Sequence, residues 1–190
     1  MLYTYAMLYT RKGDAGTTKT FDSKPGERIS KSSCRTESLG ALDELNSFLG
    51  LVKVKAQSVT WTVNESRPED IVMWVQNSLF IVQAEVAGSP KKMMQNKVVE
   101  TEKITDAAEK ELPPITTFFI SGGTEMAALF DVARTLARKA ERRVIAAHEE
   151  GSLVIGAATL AFLNRLSSLL YALARLSNHK SGIKEVSPSY

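Results

Sequence analysis

Leu42, Leu45, Leu49, Val52 and Ala56 fall three and four residues apart. That spacing lines one face of a helix and predicts one beginning after Thr36. Val72, Val75, Leu79, Val82 and Val86 repeat the pattern. Pro68 suits the first turn of this second helix, and Glu69 and Asp70 complement its dipole. Val59 to Arg67 is a connector, and the run Gly88 to Pro90 ends the second helix. Lys91 to Leu112 is polar and charged, and predicts a shorter, exposed helix. Pro113 and Pro114 on one side and Gly122 and Gly123 on the other interrupt helix around "PPITTFFISGGT". A long helix is expected over Glu125 to Glu149, and a last one over Ser152 to His179. Leu163, Leu166, Leu170 and Leu173 form one seam of the last helix, and Leu169 and Leu176 a second stripe. A helix apolar on two faces is either central in a bundle or covered by another subunit. The fold class is therefore all-α, a five-helix bundle of four long helices and one short one.

The first 33 residues read differently. They are rich in Gly, Thr, Ser and Lys, with a short strand expected at Leu8 to Thr10. The chain divides as residues 1–33 loop segment, 34–180 bundle and 181–190 tail, within one domain of 190 residues. "MLYT" occurs at Met1 and again at Met7 and is read as chance or a second start, not a structural repeat. The opening residues lack a basic n-region and a clear cleavage site, so no signal peptide is expected. No uninterrupted apolar run approaches the ~18 residues of a membrane span. The single Cys34 leaves no internal disulfide and fits a reducing compartment, so the expected location is cytoplasmic.

Charge narrows the chemistry. The net charge is +3, too small to argue for nucleic acid by itself. Its distribution is uneven. "LYTRKGDAGTTKTF", Leu8 to Phe21, combines glycines and threonines with Arg11, Lys12 and Lys19, and Lys24, Arg28 and Lys31 follow. The register is wrong for a Walker A loop, since Gly13 and Gly16 are three apart and Lys19 follows late. The ingredients of an anion site are present all the same: glycines that let amides approach, hydroxyl donors and ammonium groups. A solvated arm is the plainer reading of the same composition.

A second basic element is "ARTLARKAERR". Arg134, Arg138 and Arg142 recur every four residues, drifting roughly 40° per step along one helical face. Like charges at that spacing disfavour an isolated helix, so either an anion lies along the face or solvent and Glu141 satisfy it. Asp43 and Glu44 lie between Leu42 and Leu45, which predicts that one acid is partly buried beside a cation, such as an arginine of the fourth long helix. Asn164 and Arg165 interrupt the leucine-rich last helix, and a buried Asn164 would need partners. Metal chemistry finds no ligand set: His148 and His179 lack the Glu three residues before them that a di-iron bundle uses, and no Cys/His cluster has zinc spacing. Two basic elements far apart in sequence suggest one polyphosphate held between a loop and a helix, with catalysis by positioning and charge stabilisation.

The pattern resembles the ATP:cob(I)alamin adenosyltransferases of the propanediol-utilisation (PduO) type. The resemblance rests on "YTRKGDAGTTKTF", "GERISK", "LGALDELNSFLG", "ARTLARKAERRV" and "LNRLSSLLYALAR", in that order over nearly the whole chain. It implies a homotrimer with active sites between subunits. It implies transfer of the 5′-deoxyadenosyl group of ATP to cob(I)alamin, giving adenosylcobalamin and inorganic triphosphate. ATP and cobalamin are then substrates, with Mg²⁺ accompanying the triphosphate. A corrinoid reductase and an adenosylcobalamin-dependent enzyme are further implied partners. By position, the resemblance assigns Thr10, Arg11, Lys12, Gly13, Asp14, Gly16, Thr18, Lys19, Arg28 and Lys31 to ATP binding. It adds Arg138, Lys139, Glu141, Arg142 and Asn164 from the helices of the neighbouring subunit. It makes Arg134 and Asp43 a pair that shapes the active site, and Phe118 the aromatic that closes the corrinoid pocket. Lys139 stands where the family has Arg, Ser121 where it has Pro, and Asp131 where it often has His; no function is attached to Asp131. The alternative reading is a catalytically silent trimer that binds ATP or chaperones the corrinoid. A nucleic-acid binder is disfavoured by the near-balanced charge.

Overall fold

The computed structural model describes residues 9–190. It contains helices α1 (Cys34–Ala56), α2 (Pro68–Val86), α3 (Gln95–Glu109), α4 (Glu125–Glu149) and α5 (Ala157–Lys180). Ahead of them, strands β1 (Thr17–Thr18) and β2 (Ile29–Ser30) pair antiparallel, with Thr17 opposite Ser30 and Thr18 opposite Ile29. The short strand expected at Leu8 to Thr10 is not there: Leu8 lies outside the described residues, and Tyr9 and Thr10 are irregular. The first copy of "MLYT" also lies outside them.

The helix boundaries follow local chemistry. The Ser33 hydroxyl accepts the Thr36 amide at 3.3 Å, which starts α1 slightly earlier than its apolar seam. Pro68 opens α2 with Glu69 and Asp70 in the first turn. The Thr124 hydroxyl accepts the Ala127 amide at 3.1 Å and caps α4. Helix α5 begins five residues later than its pattern suggests, at Ala157. The connector before it is held extended: the Ile155 amide donates to His148 Nδ1 at 3.3 Å, and Ile155 is buried. The cap of α5 comes from α2: Glu85 accepts the Gly156 amide at 2.8 Å and the Thr159 hydroxyl at 2.5 Å.

Helix α4 packs against α1 on one side and α5 on the other, while α2 packs on α1 and α3 on α5. Its buried face is mostly Ala127, Ala133, Ala137, Ala140 and Ala147, with Phe130 and Val144. Small side chains let both neighbours approach closely, so α4 forms a thin wall between two surfaces. Both stripes of α5 are buried within the single chain, Leu169 and Leu176 included. Its two-sided apolarity is thus explained by its central place in the bundle and gives no argument for a partner subunit. By length and composition α5 could also cross a membrane, but most of its apolar stretch is covered by its neighbours.

Candidate active site

The loop from Tyr9 to Ser33 is a set of turns locked by its own cations. Arg11 and Gly16 adopt positive φ, 60° and 74°, and the Lys31 amide donates to the Gly16 carbonyl at 2.9 Å. A Cβ on Gly13 would lie 3.0 Å from Lys31 Nζ, so the glycine lets that ammonium lie against the turn. Arg28 turns inward: its Nε donates to Thr17 Oγ1 at 2.7 Å and its Nη2 to the Thr17 carbonyl at 2.8 Å. Arg28 therefore holds β1 to β2. Thr10, Arg11, Lys12, Asp14, Gly16 and Lys19 are exposed along the outer side of the turns, and Thr18 is half-buried.

A cavity of about 460 Å³ lies where this loop meets α1 and α4. Thr18, Lys31, Thr36, Glu44, Lys139 and Arg143 line it. Lys139 Nζ is 2.5 Å from Glu44 Oε2. Both Asp43 and Glu44 are exposed, which corrects the expectation of a partly buried acid. Their place between core leucines misled, because at about 100° per residue each points off the seam.

A larger cavity, about 620 Å³, opens on the other side of α4 beneath residues 115–121. Phe118 stands at its mouth, 79% exposed. Arg134, Arg138, Tyr171 and Arg175 line its wall. Within the chain Arg134 meets Asp131, Nε to Oδ1 at 3.3 Å, and not Asp43; its guanidinium lies 5.6 Å above the Tyr171 ring. The other Asp131 oxygen accepts the Gly122 amide at 3.2 Å. Asp131, set aside on sequence, thus connects the Phe118 segment to Arg134. Burial pushes the Tyr171 phenol up, so it stays protonated at neutral pH.

The cavity roof is fastened from below. Arg175 is buried, donates to both Glu185 oxygens and to the Pro113 carbonyl, and stacks 5.2 Å from the Phe119 centroid. The Ile120 amide donates to the Val186 carbonyl at 2.8 Å, so the C-terminal tail folds back onto this segment. Asn178 accepts from Thr124 and donates to the Gly122 carbonyl, and Gly123, at φ 101°, leaves room for it.

The basic stripe of α4 is therefore split. Arg134 and Arg138 face the larger cavity, whereas Lys139 and Arg143, four apart, face the smaller one. Arg142 is exposed, and among the described residues no acid pairs with Arg138 or Arg142. Asn164 is exposed, not buried; its Nδ2 donates to Glu141 Oε1 at 3.1 Å. No residue of the Tyr9–Ser33 loop lines the cavity that holds Arg138. Among the described residues, no three His, Cys, Asp or Glu side chains converge as a metal site. Arg143, Asp131, Tyr171 and Arg175 were missed on sequence; the i, i+4 step from Lys139 and the i, i+3 step back from Arg134 were the available signals for the first two.

The family model described as cobalamin adenosyltransferase matches residues 8–177. The chain belongs to that family. It is 36% identical over 186 residues to the corrinoid adenosyltransferase of Bacillus subtilis strain 168, covering 94% of this chain and 90% of that protein. It is also 36% identical over 179 residues to the corrinoid adenosyltransferase PduO of Citrobacter freundii, covering 90% of this chain. There the chain spans 50% of the relative's length. Among solved structures it is similar to a variant PduO-type ATP:corrinoid adenosyltransferase from Lactobacillus reuteri complexed with cobalamin and ATP. That match has a TM-score of 0.84 at 27% identity and covers 97% of this chain and all of the other. An arginine-to-lysine variant of the same type, complexed with ATP, matches with a TM-score of 0.82 at 28% identity over 96% of this chain and 100% of the other. The smaller cavity of this chain carries Lys31, Lys139 and Arg143 beside Glu37 and Glu44, and the larger one has aromatic walls at Phe118, Phe119 and Tyr171.

Proposed function

We propose that the protein transfers the 5′-deoxyadenosyl group of ATP to cob(I)alamin. The Co(I) electron pair attacks the 5′ carbon; the Co–C bond forms, the C–O bond breaks, and triphosphate leaves with that bond's electrons. Cobalt is the nucleophile, so the protein's contribution is geometry and charge. The observation that carries the reading is the pair of unlike cavities on opposite sides of α4. Thr18, Lys31 and Arg143 supply donors for the triphosphate, and Phe118 with Tyr171 bounds the space for the corrinoid. The Lactobacillus reuteri relative complexed with both molecules supports the assignment.

The same split supports a finer reading. In one chain the loop and Arg138 face different cavities, so a centre using both takes the loop of one subunit and α4 of the next. A homotrimer closes such head-to-tail contacts into a ring. Asp43, exposed on α1, is then available to Arg134 of a neighbour. Mg²⁺ bound through triphosphate oxygens needs only one or two carboxylates, and Glu37 and Glu44 line the smaller cavity. The setting is cytoplasmic, with a corrinoid reductase as electron source and an adenosylcobalamin-dependent enzyme as recipient.

The test is an anaerobic reaction of chemically reduced cobalamin, ATP and Mg²⁺, following the Co(I) absorbance and the phosphate released. Adenosylcobalamin with one triphosphate per turnover is the expected result. Saturable ATP binding without product would favour the silent ATP-binding reading and direct attention to Lys139, whose ammonium is already engaged by Glu44.

A further inference from the structure

The tip of the N-terminal hairpin is clamped to the bundle by groups that reach neither cavity. Arg35, in the first turn of α1, is 8% exposed. Its Nε donates to the Val86 carbonyl at 2.8 Å, and its Nη2 to both Asp22 oxygens at 2.8 and 2.9 Å. The Phe21 amide donates to the Ala87 carbonyl at 2.8 Å. Gly88 completes the seat. It has φ 88°, and a Cβ there would lie 2.3 Å from the Asp22 carboxyl carbon. Asp22 keeps its charge: burial alone would raise its pKa, but the hydrogen bonds from Arg35 and Thr20 and the Arg35 charge lower it.

The clamp lies between two residues that line the smaller cavity. Thr18 precedes Asp22 on β1, and Lys31 follows it just after β2. Arg28 ties those strands together through Thr17. Thr36, the residue after Arg35, donates its hydroxyl to the Ser30 carbonyl at 2.9 Å. The hairpin is too short to hold its own position, since two paired residues per strand are marginal in water. Its orientation on the bundle is fixed at the base by the Thr36–Ser30 bond and at the tip by the Phe21–Ala87 bond and the Asp22–Arg35 pair, the one charged contact of the three.

We propose that Asp22 and Arg35, seated on Gly88, are positioning residues for the nucleotide. They set Thr18 and Lys31 at the triphosphate without touching it. The inference rests on reading the loop as the ATP site. Loosening the clamp leaves the phosphate-facing groups present but less preorganised, so binding pays for their ordering. None of the clamp residues lines the larger cavity of the same chain.

The test is Asp22→Ala in the full chain, with Asp22→Asn, Gly88→Ala and Lys31→Ala beside it. Steady-state constants are measured for both substrates, and ATP affinity alone by calorimetry. Asp22→Ala is expected to raise both KM and Kd for ATP about tenfold, with KM for cobalamin and kcat at saturating ATP within about twofold. Asp22→Asn, which keeps an acceptor for Arg35, should fall between. Gly88→Ala, which pushes on the carboxylate from the opposite side, should reproduce the split. If Lys31→Ala weakens ATP and Asp22→Ala does not, the clamp inference fails and the loop reading stands. If neither variant changes ATP affinity, the loop reading fails and takes the inference with it. Equal losses for both substrates would mark Asp22 as merely structural and also overturn it.

Discussion

Glu85 is the buried charge on which the α2–α5 junction depends. Its side chain has no exposure, and it takes the Gly156 amide, the Thr159 hydroxyl and, at 3.1 Å, the Lys92 ammonium. Burial pushes its pKa up, but the hydrogen bonds from Thr159, Gly156 and Lys92 outweigh it and hold the carboxyl below the ordinary range. Glu85→Ala removes the acceptor and leaves the half-buried Gly156 amide and the buried Thr159 hydroxyl unpaired, at about 1–3 kcal/mol each. Lys92 is 56% exposed and returns to water, so its share is about 1 kcal/mol or less. The expected loss is about 3–5 kcal/mol, most of it from the two donors left without an acceptor. For a chain of this size that lowers Tm by about 6–20 °C.

The assay is thermal unfolding by circular dichroism at one protein concentration, because assembly also raises Tm. Glu85→Gln keeps the volume and one acceptor, and should lose about 1–3 kcal/mol at pH 7. The pH dependence has a definite sign. A lowered folded pKa contributes stability at neutral pH that is lost as pH falls from about 5 through the folded value. Wild type should therefore converge on Glu85→Gln in acid. A Tm for Glu85→Ala within about 2 °C of wild type would refute the reasoning. So would a wild-type-to-Gln gap that does not shrink in acid.

Phe118 is 79% exposed, so Phe118→Ala should shift Tm by no more than about 2 °C. Turnover starting from Co(II) should fall far more than turnover from pre-reduced Co(I); equal losses would contradict its pocket-closing role. Asp131 satisfies both the Gly122 amide and Arg134, and an amide there must turn its NH₂ toward one of those donors. Asp131→Asn should lose about 1–3 kcal/mol of stability by denaturant unfolding and, by releasing Arg134, lower turnover. Unchanged turnover would show that Arg134 does not depend on this pair.

The helices were legible because their seams are regular, and α1 and α4 also carry their own N-caps at Ser33 and Thr124. Thr124 and Gly151 bound α4 where its pattern does. The start of α5 was not, since Ser152 to Ile155 are straightened by His148 and by the Glu85 cap across the bundle. The four-residue spacing of Arg134 and Arg138 was plain in the sequence. That Lys139 and Arg143 face a different cavity was not, because α1 and α5 decide what each side of α4 meets. Asn164 looked buried among leucines, yet a 100° step from Leu163 carries it to the surface. Asp131 read as peripheral because its use depends on the Gly122 turn folding back over it.

In the proposed assembly one reaction centre is built from two chains, the loop of one and α4 of the next. Lys31→Ala damages only the loop half, and Arg138→Ala only the helix half. Each variant alone should be nearly inactive while still assembling. Co-expressed in equal amounts, they should give mixed assemblies, and in the proposed trimeric ring one of the three interfaces of every mixed trimer, about a third, joins two intact halves. Recovery of about a third of wild-type turnover in verified mixed assemblies, or about a quarter in the unfractionated mixture, is the predicted result. Mixed assemblies as inactive as the separate variants would contradict it.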